Sequence, residues 1–198
     1  MFVNLPRYPE TSTSPVPWAP VIPSGWGTER GKALFKKLDR PTRPEDAVVT
    51  CFRDGVVTLR SQRRTTGFTE SLMQIGYQGV RKGDLVIHGM DAFAGAVGVS
   101  DSDGKSTPVY SVCVPRANAN PHYFALVIRE MARTSWILAL SKGIRERSTD
   151  FRFEVFGTQH LPVPPADQQV AIVKYLAHGQ RPHRQGHRRQ APADRAAP

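Results

Sequence analysis

Three prolines within four residues, Pro162, Pro164 and Pro165, constrain this chain more than any other feature. A proline ring fixes φ, removes a backbone donor and biases the preceding residue away from the helical region, so no helix runs through them. The chain must divide there: the segment before the prolines has to close on itself, and the segment after them leaves as a new element. Phe151, Phe153, Val155 and Phe156 form a short apolar block of strand character, and His160-Leu161-Pro162-Val163-Pro164-Pro165 reads as an extended, polyproline-like exit. A helix is expected directly after it. Pro165 suits the edge of a first turn, Asp167 sets a carboxylate near the helix N-terminus, and Val170, Val173, Leu176 and Ala177 recur at three-to-four spacing.

The rest of the chain alternates in kind. Val48 to Phe52 and Val56 to Leu59 are β-rich runs flanking Arg53-Asp54-Gly55, a turn signal that predicts a hairpin. Gly79 to Ile87 reads as a turn leading into a buried strand, Asp101 to Lys105 as a turn, and Pro108 to Val114 as the next strand. Asn120-Pro121 then opens a long helix, Asn as cap and Pro at the first position. Phe124, Val127, Ile128, Met131, Ile137, Leu138 and Leu140 recur at helical spacing until Gly143, with Tyr123 and Trp136 read as core. Residues 1–25 hold six prolines and little periodicity, the mark of an arm outside the core.

Cys51 and Cys113 sit in apolar strand-like contexts with no second ligand nearby, which predicts buried free thiols in a reducing cytosol and no metal site. No apolar run reaches membrane-spanning length, so a cytoplasmic location is expected. The net charge of +10 points to nucleic acid, although +4 of it lies in residues 179–198.

Gly143, Arg145 and Ser148, followed by Pro164, Pro165 and Gln169, occupy the places of a Gly-x-Arg-x-x-Ser element and a Pro-Pro-x-x-x-Gln helix start. In this the chain resembles the specificity subunits of type I restriction-modification systems, whose target-recognition domain ends that way. Ala166 stands where a larger aliphatic is usual and Gln168 where an acid is usual. Trp18, Ile22-Pro23, Trp26, Arg30 and the run Lys32 to Lys37 follow the order of the lead-in to that domain, a Trp-containing segment before a short Leu-Phe helix, so the two tryptophans read as packed anchors. Lys82-Gly83-Asp84-Leu85-Val86-Ile87 resembles its central strand entry, and Gly89, Gly95 and Gly98 fall in a strand pair where glycines let backbones approach. The resemblance covers roughly residues 16–177.

It implies an α+β fold: a mixed β-sheet target-recognition domain with a long packed helix, followed by the start of a connecting helix. The expected organisation is an N-terminal arm (1–25), a DNA-binding target-recognition domain (26–163), the start of the connecting helix (164–178) and a disordered basic tail (179–198). It further implies a sequence-reading module without a catalytic centre or cofactor. Its partners would be double-stranded DNA, a modification (methyltransferase) subunit and, through that, a restriction subunit. The candidate DNA contacts are Arg60, Ser61, Gln62, Arg63 and Arg64, a donor-rich stretch immediately after the hairpin, with Lys82, Lys142 and Arg145. Arg145 and Arg147 fit equally a solvated face paired with Glu146, Asp150 or Glu154.

Two catalytic readings compete. Asp91-Ala92-Phe93-Ala94-Gly95 with Asn120-Pro121-His122-Tyr123 looks like the cofactor loop and catalytic motif of an adenine methyltransferase, but Val97 replaces a loop glycine and His122 a proline. Asp103-Gly104-Lys105 with Asp91 matches half of a metal-dependent nuclease site, and is equally an ordinary turn. A third reading is a general basic nucleic-acid binder. The tail itself, helix-poor and interrupted by Pro182 and Pro192, reads as a frameshift: one base dropped from a GC-rich back-translation after His178 yields a continuous amphipathic helix. On that reading the chain is a truncated subunit, impaired in assembly.

Overall fold

The computed structural model describes residues 8–63, 75–140 and 150–179, with side chains as far as Ala177. In chain order the strands are β1 (Thr11–Thr13), β2 (Val21–Pro23), β3 (Gly27–Arg30), β4 (Phe35–Lys37), β5 (Val49–Cys51), β6 (Val57–Leu59), β7 (Gln78–Val80), β8 (Leu85–His88), β9 (Val97–Val99), β10 (Gly104–Ser106), β11 (Tyr110–Pro115) and β12 (His160–Val163). The helices are α1 (Gly31–Leu34), α2 (Arg60–Arg63), α3 (Pro121–Arg133), α4 (Trp136–Leu140), α5 (Phe153–Phe156) and α6 (Ala166–Gly179). The expected α+β class holds.

A four-stranded antiparallel sheet in the order β4-β11-β8-β9 divides the molecule. Side chains alternate across it, as a pleat requires. Leu85 and Ile87 of β8, Val97 of β9 and Cys113 of β11 face α3, where Phe124, Ile128 and Met131 are fully buried. Phe35 packs edge-on against Phe124, with ring centroids 5.5 Å apart, and Phe156 completes the cluster against Phe35 and Phe151. Burial of each such ring stabilises the fold by about 1.5–3 kcal/mol. Val86 of β8 and Tyr110 and Val112 of β11 face the other way, onto Val49, Cys51, Val57 and Val80. That second layer consists of the β5–β6 hairpin and the β7–β10 pair. Two parallel bridges, Val57 to Ser100 and Val48 to Lys105, join them to each other and to the end of β9.

Both cysteines are buried and unbridged, and burial pushes both thiols well above their ordinary range.

Several local expectations hold. The hairpin forms with Gly55 at φ +85° in its turn, α3 starts at Pro121, and α6 starts after Pro165. Four others are corrected. His160–Val163 is a strand paired antiparallel with β3, Pro162 opposite Thr28; a two-stranded ribbon tolerates a residue without a donor where a central strand would not. The apolar block at 151–156 is an extended lead-in and a helical turn, because the Ser111 hydroxyl accepts from Phe153 N (3.0 Å) and the buried rings gather around Phe156. The long helix breaks at Ser135, whose φ of +61° separates α3 from α4 while the Thr134 hydroxyl donates back to Glu130 O at 3.0 Å. Finally, residues 8–25 are more ordered than an arm: β1 pairs with β2, and Val16 and Ile22 are buried.

The Pro-Pro-x-x-x-Gln element has a clear structural task. Gln169 is buried; its Nε2 donates to Pro164 O (3.0 Å) and its Oε1 accepts from Asn120 N (2.9 Å), so the first turn of α6 is tied to the cap of α3. Gln168 Oε1 accepts from Trp26 Nε1 at 2.9 Å, and Trp26 packs edge-on against Tyr123, 6.5 Å between centroids. Trp18 also packs against the main core. The lead-in, α3 and the outgoing helix therefore lock together at one corner.

Candidate nucleic-acid interface

The register of the sheet decides which loops meet. Cys113 lies opposite Leu85, Leu85 opposite Val99, and Val114 opposite Lys36. In antiparallel strands, residues preceding Leu85 and residues following Cys113 or Val99 overhang the same end. Lys82, the 101–103 turn, the 116–120 segment and Lys36 therefore share one end of the sheet. The bridge from Val57 to Ser100 is parallel, so β6 runs out in the same direction and delivers Arg60 there as well, while the helical turn that follows brings Arg63 back to the hairpin turn. At the opposite end stand His88, Asp91 and the hairpin turn, where Arg53 pairs with Asp91 at 2.8 Å.

Arg60–Arg63 is one helical turn, not an open loop. Arg60 N donates to Val48 O (2.8 Å) and its Nε to Thr50 Oγ1 (3.3 Å), anchoring the turn to the hairpin. Gln62 Oε1 accepts from Thr58 Oγ1 at 2.6 Å, and Ser61 is exposed. Arg63 folds back as a fork onto Asp54 (3.0 and 2.8 Å), its guanidinium 4.6 Å from the centroid of the Phe52 ring. The Arg63 hydrogen bond holds the Asp54 carboxyl below its ordinary range. Arg64, Lys142 and Arg145, with Gly143, Ser148 and the tail from residue 180, lie outside the described residues.

Lys82 is exposed at the tip of the turn before β8, and buried ion pairs hold that turn. Its backbone N donates to Asp103 Oδ1 (2.9 Å). Next to it, Arg81 Nη1 donates to both carboxylate oxygens of Asp46 (3.0 and 3.1 Å) and to Gly104 O (3.0 Å). Asp84 takes Arg40 Nη1 and Arg81 N, each at 2.7 Å. Asp46 and Asp84 are only 3% and 6% exposed. The turn is rigid by construction, and Lys82 is carried on it.

The catalytic look-alikes do not assemble into sites. Phe93-Ala94-Gly95 and Tyr123 do line one cleft of about 620 Å³, together with Arg53 and Arg129. Asn120, however, has its side chain committed to capping: Oδ1 accepts from His122 N (3.0 Å) and Tyr123 N (3.4 Å). Tyr123 is buried, and its hydroxyl donates to Pro162 O at 3.3 Å. Asp91 and Asp103 stand at opposite ends of the sheet and cannot share a metal ion. Among the described residues no group of three His, Cys, Asp or Glu side chains has metal-binding geometry.

His88 gives the region a pH response. Its Nδ1 accepts from Asp91 N (3.0 Å) and its ring packs edge-on to Tyr110, 4.5 Å between centroids. Burial lowers its pKa below the ordinary 6.5; the Asp91 carboxylate opposes this and Arg53 adds to it. The unfolded chain then binds the proton more readily than the folded one. Stability is full above about pH 6.5 and falls as the pH drops from there towards the lower native pKa. His88→Asn keeps an acceptor for Asp91 N and removes the titration. Thermal melts at pH 7.5 and 5.5 are expected to show a smaller loss for the variant than for the parent; an equal loss would assign the effect to other groups.

Nothing in the local sequence singles out Arg116 and Asn118. The structure puts them at the end of the sheet that carries Lys82 and the exit of β6, a placement that depends on register and leaves no local signal.

No protein-family model matches the chain, and no curated protein matches it. Solved structures do. One, described as the structural basis of complex assembly and conformational transition of the type I R-M system, is 16% identical over 80% of this chain and 39% of its own, with a TM-score of 0.50. Another, the type I restriction-modification system S subunit from M. genitalium, is 14% identical over 78% of this chain and 38% of its own, also at 0.50. The chain spans less than two fifths of the length of each.

Proposed function

We propose that this chain, which has the α+β fold found in part of a type I specificity subunit, is a DNA sequence-recognition module. It would direct a separate modification subunit and, through it, a restriction subunit to one half of a bipartite target. Residues 26–163 would form the reading domain and 164–178 the start of the helix that connects it to the rest of the assembly. The observation that carries the reading is the gathering of Lys82 and the start of the basic turn, Arg60 to Gln62, at one end of the sheet on rigid supports. Lys82, exposed on its rigid turn, suits a phosphate contact on the rim; Ser61 and Gln62 are exposed and suit the groove, and Arg63 would join them on release from Asp54. Arg64, Lys142 and Arg145 are further proposed DNA contacts on the sequence alone. Among the described residues no helix is long and apolar enough to cross a membrane.

The adenine methyltransferase alternative is weakened by the commitment of Asn120 to the helix cap. The general-binder alternative places affinity in the tail. The test is selection from a random duplex library with the whole purified chain at low salt. A short enriched sequence, retained when residues 179–198 are deleted, is expected. Binding that enriches nothing and disappears with the tail would replace recognition by nonspecific attraction. Lys82→Ala should then weaken all duplexes alike and flatten the salt dependence by about one phosphate equivalent.

A further inference from the structure

We propose that the turn between β11 and α3, Arg116 to Asn118, is a base-reading element of this surface, with Arg116 and Asn118 presented to purine edges in the major groove. The inference rests on the DNA-recognition reading and adds to it residues that neither the sequence pattern nor the basic stretch after the hairpin pointed to.

Placement comes first. Arg116 follows Cys113 by three residues and Lys82 precedes Leu85 by three; because Cys113 and Leu85 are register partners, both overhang the same end of the sheet. The turn therefore stands on the proposed docking face, with β8 and β9 between it and the exit of β6.

Rigidity is second. Ala117 has φ +47°, a left-handed conformation that a residue with a Cβ adopts only when its surroundings impose it. They do so from both sides. Arg116 N donates to Leu34 O (2.7 Å), Ala119 N donates to Arg116 O (3.2 Å), Ala119 is buried, and Asn120 N is held by Gln169 Oε1 (2.9 Å). A turn fixed at both ends fixes the points at which its side chains leave the backbone, which base reading requires and phosphate neutralisation does not.

Chemistry is third. A guanidinium matches guanine O6 and N7 as a two-pronged donor, and a carboxamide matches adenine N6 and N7. Arg116 and Asn118 are both exposed, and among the described residues no carboxylate pairs with Arg116 and no hydrogen bond engages the Asn118 amide. Arg63, by contrast, is folded onto Asp54. The residues flanking Asn118 are alanines, so no bulky neighbour on the chain screens it from an approaching groove.

The experiment uses the full chain and the duplex it enriches from the random library. Arg116→Lys keeps the charge and loses the fork; Asn118→Ala loses the amide. Each variant is titrated against the enriched duplex and against duplexes changed at one base pair at a time. Arg116→Lys is expected to lower discrimination at one G·C position by roughly 5- to 100-fold while leaving the salt dependence in place, and Asn118→Ala to do so at one A·T position. Unchanged melting temperatures establish that the variants are folded. If discrimination is unchanged at every position, or all duplexes weaken equally, the turn does not read bases and the inference fails while the recognition module stands. If the parent chain enriches no sequence, recognition fails, and this inference with it.

Discussion

Asp46→Ala is expected to destabilise the folded chain by about 3–5 kcal/mol, because it strands a buried charge. Arg81, 14% exposed, has its Nη1 on both Asp46 oxygens, and Asp46 also accepts from Arg43 N at 2.8 Å. Removing the carboxylate leaves the guanidinium desolvated, with two main-chain carbonyls and Asp103 at 3.7 Å to compensate. Urea denaturation of the variant reads the loss directly. Asp46→Ala combined with Arg81→Met should recover part of it, since no buried charge then remains unpaired. A single-variant loss below about 1 kcal/mol would mean that water reaches Arg81 and that the pair does not hold the turn.

Gly98→Ala should rank next, at about 3 kcal/mol, near the upper end of overpacking costs. Gly98 faces the hairpin, and a methyl group there would overlie the Gly55 carbonyl oxygen and stand 2.9 Å from Val57 Cγ2. Neither neighbour is the free end of a flexible side chain, so β5 and β6 would have to lift from the sheet. Arg60–Arg63 depends on that hairpin for its position. The variant is therefore expected to lose DNA affinity more steeply than the nearby Val99→Ala, and normal affinity together with reduced stability would separate the hairpin from binding.

Legibility followed how local each determinant was. Asp54-Gly55, Asn120-Pro121 and Pro164-Pro165 carry their conformations in their own covalent chemistry, and the turn and both helix starts appear where these residues predict them. Phe151–Phe156 does not: a short apolar run is ambiguous between strand and helix, and the Ser111 hydroxyl, about forty residues away in sequence, helps decide it. The break at Ser135 has neither glycine nor proline to announce it. The pairing of β12 with β3 spans most of the chain.

The candidate surface was half legible for the same reason. Arg60–Arg64 is a visible cluster, but the bonding of Arg63 to Asp54 and the arrival of Arg116 and Asn118 beside Lys82 are consequences of register. Composition alone does not contain them.

The ribbon formed by β3 and β12 has a mechanical consequence. The chain enters at Gly27 and leaves at Val163, and these two residues face each other at the same end of the pair. Tension between the incoming segment and the outgoing helix would thus peel the ribbon bond by bond, instead of shearing all its bonds at once. Trp26 bound to Gln168, and Gln169 bound to the cap of α3, sit at the fork where peeling would begin. They act as a strain relief: a pull or twist arriving through α6 is passed to the sheet-backed α3 before it can open the ribbon.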